Sequence, residues 1–173
     1  MEIWDAYDME RHKKHKDMVR GEPHQSGDYH LIILICIFNS EGKMLIQKRS
    51  SNQIGWPDLW DITVGGCAVK GENSRTAAAR ELAEELGIQM DFTNIRPHFT
   101  ADLTDGFDDI FLIQKDLEIS SLKLQKEEVQ AVQWASMEEI LNLIEKKQFI
   151  SYYPEIIRLF FKARNQYGLI DPN

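Results

Sequence analysis

Between Gly66 and Ile88 four glutamates and one arginine fall in a fixed pattern. Gly66 is followed by five residues, Glu72, seven residues and then Arg80-Glu81-Leu82-Ala83-Glu84-Glu85-Leu86-Gly87-Ile88. Like charges at helical spacing repel, so a fold that gathers these carboxylates must also supply a cation. Divalent ions that take hard oxygen ligands are the simplest partner. The segment from Ser74 to Leu86 is rich in alanine and glutamate and holds no breaker. It reads as a helix with Gly87 as its terminating glycine. On that helix Glu81, Glu84 and Glu85 lie three or four residues apart and share a face. Leu82 and Leu86 form a neighbouring apolar stripe, and Ala77, Ala78 and Ala79 permit close packing. Gly65-Gly66 lets the preceding backbone come close to the carboxylates, and Arg80 can clamp one of them bidentately.

The rest of the chain reads as alternating strands and helices. Residues 1–28 form a polar N-terminal extension with aromatic anchors Trp4 and Tyr7, a short strand and then an irregular stretch ending at Gly27. Tyr29 to Phe38 is an apolar run without alternation, which is expected of a strand buried on both faces. A turn at Asn39–Gly42 leads to a hairpin partner over Lys43–Lys48. Ser50–Asp58 is a loop, and Leu59–Val64 is a short strand running into the glycine pair. Ile95–Leu103 and Phe107–Gln114 are strands joined at Thr104-Asp105-Gly106, an Asp-Gly hairpin signal. Val129–Trp134 is a further strand. Ser136 and Glu139 make a capping box opening a helix to about Lys146. Pro154 suits the first turn of a last helix, whose apolar stripe is Ile156, Leu159, Phe160 and Ala163. With no internal repeat or linker, one domain is expected over 1–173, with 66–88 as its chemical centre.

Composition narrows the partners. The formal net charge of −8 argues against binding a nucleic acid polymer, which needs basic surface. The one basic cluster, His12-Lys13-Lys14-His15-Lys16, reads as a solvated segment. Two cysteines, Cys36 and Cys67, are too few for a disulfide framework and point to a reducing compartment. The N-terminus shows no secretory pattern, and Leu31–Phe38 is too short to span a bilayer. No membrane association is expected, and a cytoplasmic location is.

The full spacing from Gly66 to Ile88 resembles the signature of the Nudix hydrolase family, G-x5-E-x7-R-E-(aliphatic)-x-E-E-x-G-(aliphatic), at every position. The resemblance implies an α/β (α+β) fold, a mixed β-sheet sandwiched between helices. It implies Mg²⁺-dependent cleavage, or Mn²⁺-dependent, of a nucleoside diphosphate linked to another moiety, by water attack on phosphorus. Glu81, Glu84 and Glu85 would hold the metal, with the Gly66 carbonyl. Glu81 is otherwise a candidate base, and Arg80 and Glu72 orient the other carboxylates. Many family members place an acid near the last strand that reaches the metal or acts as base. Glu128 is the candidate here, ahead of Glu127, with Asp108 and Asp109 as competitors.

Tyr29-His30-Leu31, Gln47-Lys48-Arg49 and Trp56-Pro57-Asp58-Leu59-Trp60-Asp61 resemble the Nudix branch that contains type I isopentenyl-diphosphate isomerase. That enzyme needs a catalytic cysteine before the box glycine and a metal-binding histidine after it, where this chain has Gly65 and Cys67. Its second catalytic acid is a glutamate in the strand expected at Phe107–Gln114, where Asp108 and Asp109 stand. Action on an isoprenoid diphosphate, as hydrolase or isomerase-like enzyme, is thus an alternative, and a non-catalytic nucleotide sensor another. Four residues are candidates for substrate contact. His30 either meets substrate or satisfies a strand end; Lys48 and Arg49 either meet diphosphate or are solvated. Trp60, like Trp56, either stacks a base or anchors a loop. Cys67 reads as a small residue of a tight loop, with no histidine near it in sequence to activate it. The aromatic C-terminal helix with Phe160 and Phe161 packs on the core or on a second copy, which leaves a homodimer open.

Overall fold

The computed structural model describes residues 2–170, so both ends of the expected 1–173 span lie outside the described residues. Its strands are β1 (Ile3–Tyr7), β2 (Lys13–Val19), β3 (His30–Phe38), β4 (Met44–Arg49), β5 (Trp60–Asp61), β6 (Val64–Cys67), β7 (Phe99–Asp102), β8 (Gly106–Gln114) and β9 (Val129–Ala135); its helices are α1 (Ser74–Leu86), α2 (Met137–Glu145) and α3 (Pro154–Ala163). β1 and β2 form a sheet of their own, and the seven others form one mixed sheet.

β3 is the spine. Leu31, Ile33, Ile35 and Ile37 point into one core, which contains Ala77, Ala78, Leu82 and Leu86 of α1. Leu34, Cys36 and Phe38 point into a second, with Ile140 of α2 and Ile157, Phe160 and Phe161 of α3. Side chains alternate across a strand, and both faces are covered, so the run shows no polar alternation. The sheet is therefore sandwiched between helices. β8 lies parallel to β3 along its whole length, from His30 opposite Gly106 to Phe38 opposite Gln114. Phe160 and Phe161 are buried within this chain, so the aromatic pair offers no face to a second copy.

Several elements depart from expectation. The β3–β4 hairpin pairs in register only at Phe38 and Met44. Beyond that point the strands part: β3 pairs with β6 over Ile32–Ile35, while β4 pairs with β5 and β9. The expected strand Leu59–Val64 is consequently split, with Trp60–Asp61 on β4 and Val64–Cys67 on β3. Thr63 clips the gap: its hydroxyl donates to the Leu45 carbonyl oxygen and accepts from the Ile37 N–H. Both backbone groups are buried and would otherwise lack a partner.

The stretch read as irregular before Gly27 contains β2, paired antiparallel with β1. Its lysines hid it, because strand signals rest on apolar alternation. Those lysines are neutralised internally. Lys14 and Lys16 both bind the buried Asp28, and Lys13 binds Asp5 and the Glu72 carbonyl oxygen. Trp4, Ala6 and Met18 close the underside, with Cys67 packed against them.

The expected strand Ile95–Leu103 shrinks to Phe99–Asp102. The β7–β8 hairpin forms as expected, but Gly106 is absent from the left-handed glycines. A Cβ there would fall 2.7 Å from the His30 carbonyl oxygen. Close passage of β3, not turn geometry, demands this glycine. Gly87 does serve as the helix terminator, at φ 70°, and Asn73 caps the other end of α1 with Thr76 in a capping box.

Candidate active site

Gly66 lies on β6, one residue before its end, and Glu81 lies directly against it. A Cβ on Gly66 would fall 2.9 Å from Glu81 Cγ and closer still to its carboxyl group. Arg80 organises the neighbours. Its Nε and Nη2 donate to Glu72 Oε1 and Oε2 at 2.9 and 3.0 Å. Its Nη1 meets Glu84 Oε2 at 2.9 Å and Glu81 Oε1 at 3.0 Å, and Nη2 also donates to the Cys67 carbonyl oxygen. Glu72 Oε2 accepts from the Val69 N–H as well, which ties the loop to the clamp. One guanidinium thus fixes three carboxylates and the backbone beside Gly66.

The three helix acids are not equivalent. Neighbouring helical residues are about 100° apart around the axis. Glu81 and Glu85 are buried, while Glu84 is exposed at the rim. Burial pushes the Glu81 carboxyl up to about 7 against the opposing pull of Arg80. Burial also raises Glu85, and the Glu81 charge adds to it. Glu85 Oε2 accepts from Gln47 Nε2 at 2.9 Å. Gln47 Oε1 is buried and has no partner among the described residues. Like charges driven together and desolvated are stabilised by a cation, and every donor present is a hard oxygen. The set fits Mg²⁺ or Mn²⁺. Groups of three ligand atoms within 4.8 Å of one another occur, among the described residues, at His24, His30 and Asp105 and at Asp8, Glu10 and His12. The box carboxylates do not form such a group: Arg80 Nη1 lies between Glu81 Oε1 and Glu84 Oε2, and Glu85 is held separately by Gln47.

Glu81 and Glu84 border a cavity of about 420 Å³ whose walls also include Gly66 and Arg80; Glu72 and Glu85 are not among its wall residues. Glu128 and Asp108 face it from other elements. Glu128 is held in place by its backbone: the Ser50 N–H donates to its carbonyl oxygen, and Gln125, which starts its turn, donates to the Glu85 carbonyl oxygen. Gln53 Nε2 donates to Glu128 Oε2 at 3.2 Å. Burial, with the charge of Asp109 adding, lifts the Asp108 carboxyl to about 6. Asp109 points to the other side of β8, where it pairs with Arg11 and Thr100. Alternation along β8 thereby decides which of the two aspartates can reach the site.

Of the residues expected to touch substrate, Arg49 lines the cavity, but its guanidinium is occupied: Nε donates to the Gly55 carbonyl oxygen, Nη2 to Gln53, and Nη1 lies 3.5 Å from Asp61. It props the loop between β4 and β5. His30, Lys48 and Trp60 are not in the cavity wall. The His30 ring is stacked on Trp4 at 4.7 Å, and its Nδ1 meets the Asp105 carbonyl oxygen, the strand-end alternative. Trp60 is packed against the second core, because β5 turns that side of the strand inward. Lys48 pairs in the ladder between Trp60 and Ala131.

Trp56, expected to stack a base or anchor a loop, does line the wall, from the β4–β5 loop. Other wall residues were not singled out in the sequence: Glu2 and Arg20 from the N-terminal sheet, Gln53 from the β4–β5 loop, and Asp61 with Tyr152, whose hydroxyl donates to it at 3.1 Å. Burial raises Asp61 despite Arg49. Cys67 also lines the cavity, and burial pushes its thiol up to about 12. It stays protonated near neutrality and is no thiolate nucleophile.

The family model described as the NUDIX domain matches residues 28–160. An uncharacterized Nudix hydrolase of Listeria monocytogenes is 44% identical over 165 residues, covering 95% of this chain and 96% of that protein. An isopentenyl-diphosphate Delta-isomerase of Salmonella arizonae is 32% identical over 118 residues, covering 65% of each chain. A crystal structure from Deinococcus radiodurans superposes with a TM-score of 0.76 over 91% of this chain and 98% of that one, at 21% identity, which is a likeness of fold.

Proposed function

This chain belongs to the Nudix hydrolase family, enzymes that act on pyrophosphate bonds, and from that premise we propose that it uses Mg²⁺ or Mn²⁺ to cleave a nucleoside diphosphate linked to another moiety. The observation that carries this reading is the convergence at Gly66: a buried glutamate is pressed against a glycine while one arginine holds Glu72, Glu81 and Glu84. Glu81, Glu84 and Glu85, with the Gly66 carbonyl, would hold the ion. When bound, it would neutralise phosphate charge and lower the pKa of a water. Arg80 and Glu72 keep the carboxylates from rotating away. Glu128 is the proposed base. Gln53 occupies its Oε2, which leaves Oε1 to take the proton of the attacking water. Asp108 competes for that role from β8.

A second reading, action on an isoprenoid diphosphate, is favoured by the apolar wall of Ile32, Leu34, Leu103 and Ile150 and by the isomerase relative. Isomerase chemistry itself is disfavoured, since Gly65 and a protonated Cys67 stand where it needs a cysteine and a histidine. Among the described residues no helix is long and apolar enough to cross a membrane, and we place the protein in the cytoplasm acting on a small molecule.

The test is phosphate and pyrophosphate release with Mg²⁺ from nucleoside triphosphates, nucleotide sugars, dinucleoside polyphosphates, ADP-ribose, coenzyme A and isopentenyl diphosphate. The expected result is turnover of a nucleotide-containing diphosphate that falls at least about 100-fold in Glu85→Gln, with the fold intact. Ligand-induced thermal stabilisation without turnover would move the assignment to a sensor. Hydrolysis of isopentenyl diphosphate alone would move it to the second reading.

A further inference from the structure

The β4–β5 loop holds a bulky residue in a backbone conformation that bulky residues avoid. Trp56 has φ 49°, and Asp58, two residues on, has φ 62°. For an L-residue with a large side chain this region is a true outlier, and such strain persists only where the surroundings impose it. Here they do. Arg49 Nε grips the Gly55 carbonyl oxygen on one side of Trp56, and Gln130 Nε2 grips Asp58 Oδ1 on the other. Gln53 is tied to both Arg49 and Glu128. The backbone is fastened, yet the side chain it presents is not: Trp56 is 59% exposed. No other aromatic ring packs on its indole among the described residues. A loop whose only need was an anchor would turn its tryptophan inward, as β5 does with Trp60.

Trp56 nevertheless belongs to the cavity wall, which also includes Gln53, Arg49 and the box acids Glu81 and Glu84. We propose that Trp56 is the specificity-determining residue of this site, an indole platform for a planar aromatic group carried by the diphosphate, the nucleobase. The inference rests on the diphosphate reading above and extends it to the other half of the substrate. A strained, braced loop keeps the platform in place before substrate arrives, so little ordering entropy remains to be lost on binding. Stacking on an indole does not discriminate strongly between bases, because each offers a π-face. The platform would therefore select nucleotides over base-free diphosphates more than one base over another.

The experiment compares ADP with inorganic pyrophosphate as probes of the full-length protein in Mg²⁺, by calorimetry, in wild type, Trp56→Ala and Trp56→Phe. Wild type should prefer ADP. Trp56→Ala should lose about 5- to 100-fold in ADP affinity with pyrophosphate affinity and melting temperature unchanged, and Trp56→Phe should keep most of the preference. On the nucleotide substrate the Ala variant should raise KM far more than it lowers kcat. Equal weakening of both probes, or unchanged ADP binding and KM in an enzyme that still cleaves the nucleotide, would overturn the platform alone. A wild type that binds neither probe and cleaves no nucleotide overturns the diphosphate reading together with it.

Discussion

Substituting alanine at Gly66 adds one methyl group and tests whether the site is built around that glycine. The new Cβ would stand 2.9 Å from Glu81 Cγ, about half an ångström inside ordinary contact, and further inside for the carboxylate. Glu81 cannot yield freely, because Arg80 Nη1 holds its Oε1 at 3.0 Å and the side chain is buried. Crowding of this kind costs about 1–3 kcal/mol, a fall in melting temperature of roughly 2–12 °C for a chain of this size. Displacing a reacting carboxylate by about 1 Å costs on the order of 100-fold in kcat. Gly65→Ala is the matched control. Its Cβ would crowd Leu34 Cδ2 at 3.1 Å, the free end of a flexible side chain, and meet the Ile33 carbonyl oxygen at an ordinary 3.9 Å, so activity should stay within about threefold. Steady-state kinetics with differential scanning calorimetry read both quantities. A Gly66→Ala enzyme with near-normal kcat, or a Gly65→Ala enzyme as damaged as Gly66→Ala, would refute the argument.

Two further outcomes follow from residues away from the chemistry. Thr63→Val keeps the shape but leaves the Ile37 N–H and Leu45 carbonyl without the hydroxyl that serves both, at about 1–3 kcal/mol for each orphaned group. Urea unfolding should show the loss, and a change below about 0.5 kcal/mol would contradict the role given to this clip. Burial holds the His30 imidazole below its ordinary value, against the pull of the Asp105 carbonyl. A depressed folded value means the unfolded chain takes up the proton first, so stability is present above about pH 6.5 and lost as pH falls below it. The melting curve of His30→Phe should therefore decline less than wild type between pH 7 and pH 5, and parallel curves would rule the linkage out.

The sequence was legible where one local rule acts alone. The pattern around Glu81 and the Gly87 stop both depend on contacts within a few residues, and α1 begins at Ser74 and ends at Leu86 as its composition implies. The doubly buried β3 was legible because an unbroken apolar run has few other uses. What could not be read depends on partners distant in sequence. Nothing local marks Thr63 as the point where the chain leaves β4 for β3, and nothing marks Gly106 as a passage for His30. β2 was hidden because its lysines are answered by Asp5 and Asp28, which lie elsewhere in the chain. Trp56 and Trp60 are indistinguishable by type and spacing. Only the direction in which β5 faces separates the one that meets the cavity from the one that meets the core.

The parallel register of β3 and β8 also sets an order of events. His30–Phe38 cannot meet Gly106–Gln114 until the intervening box, helix and hairpin have been passed, and such non-local pairing comes late in folding because its loop closure must be met first. Asp108 rides on β8, and Glu128 is moored between the end of β4 and the end of α1. In the growing chain, then, the helix acids remain hydrated, and water screens the repulsion that their helical spacing imposes. That repulsion strengthens as the last strands close over them and take the water away. The same closure that completes the sheet creates the demand for a cation, so capture of the ion and the final step of folding are expected to be one event.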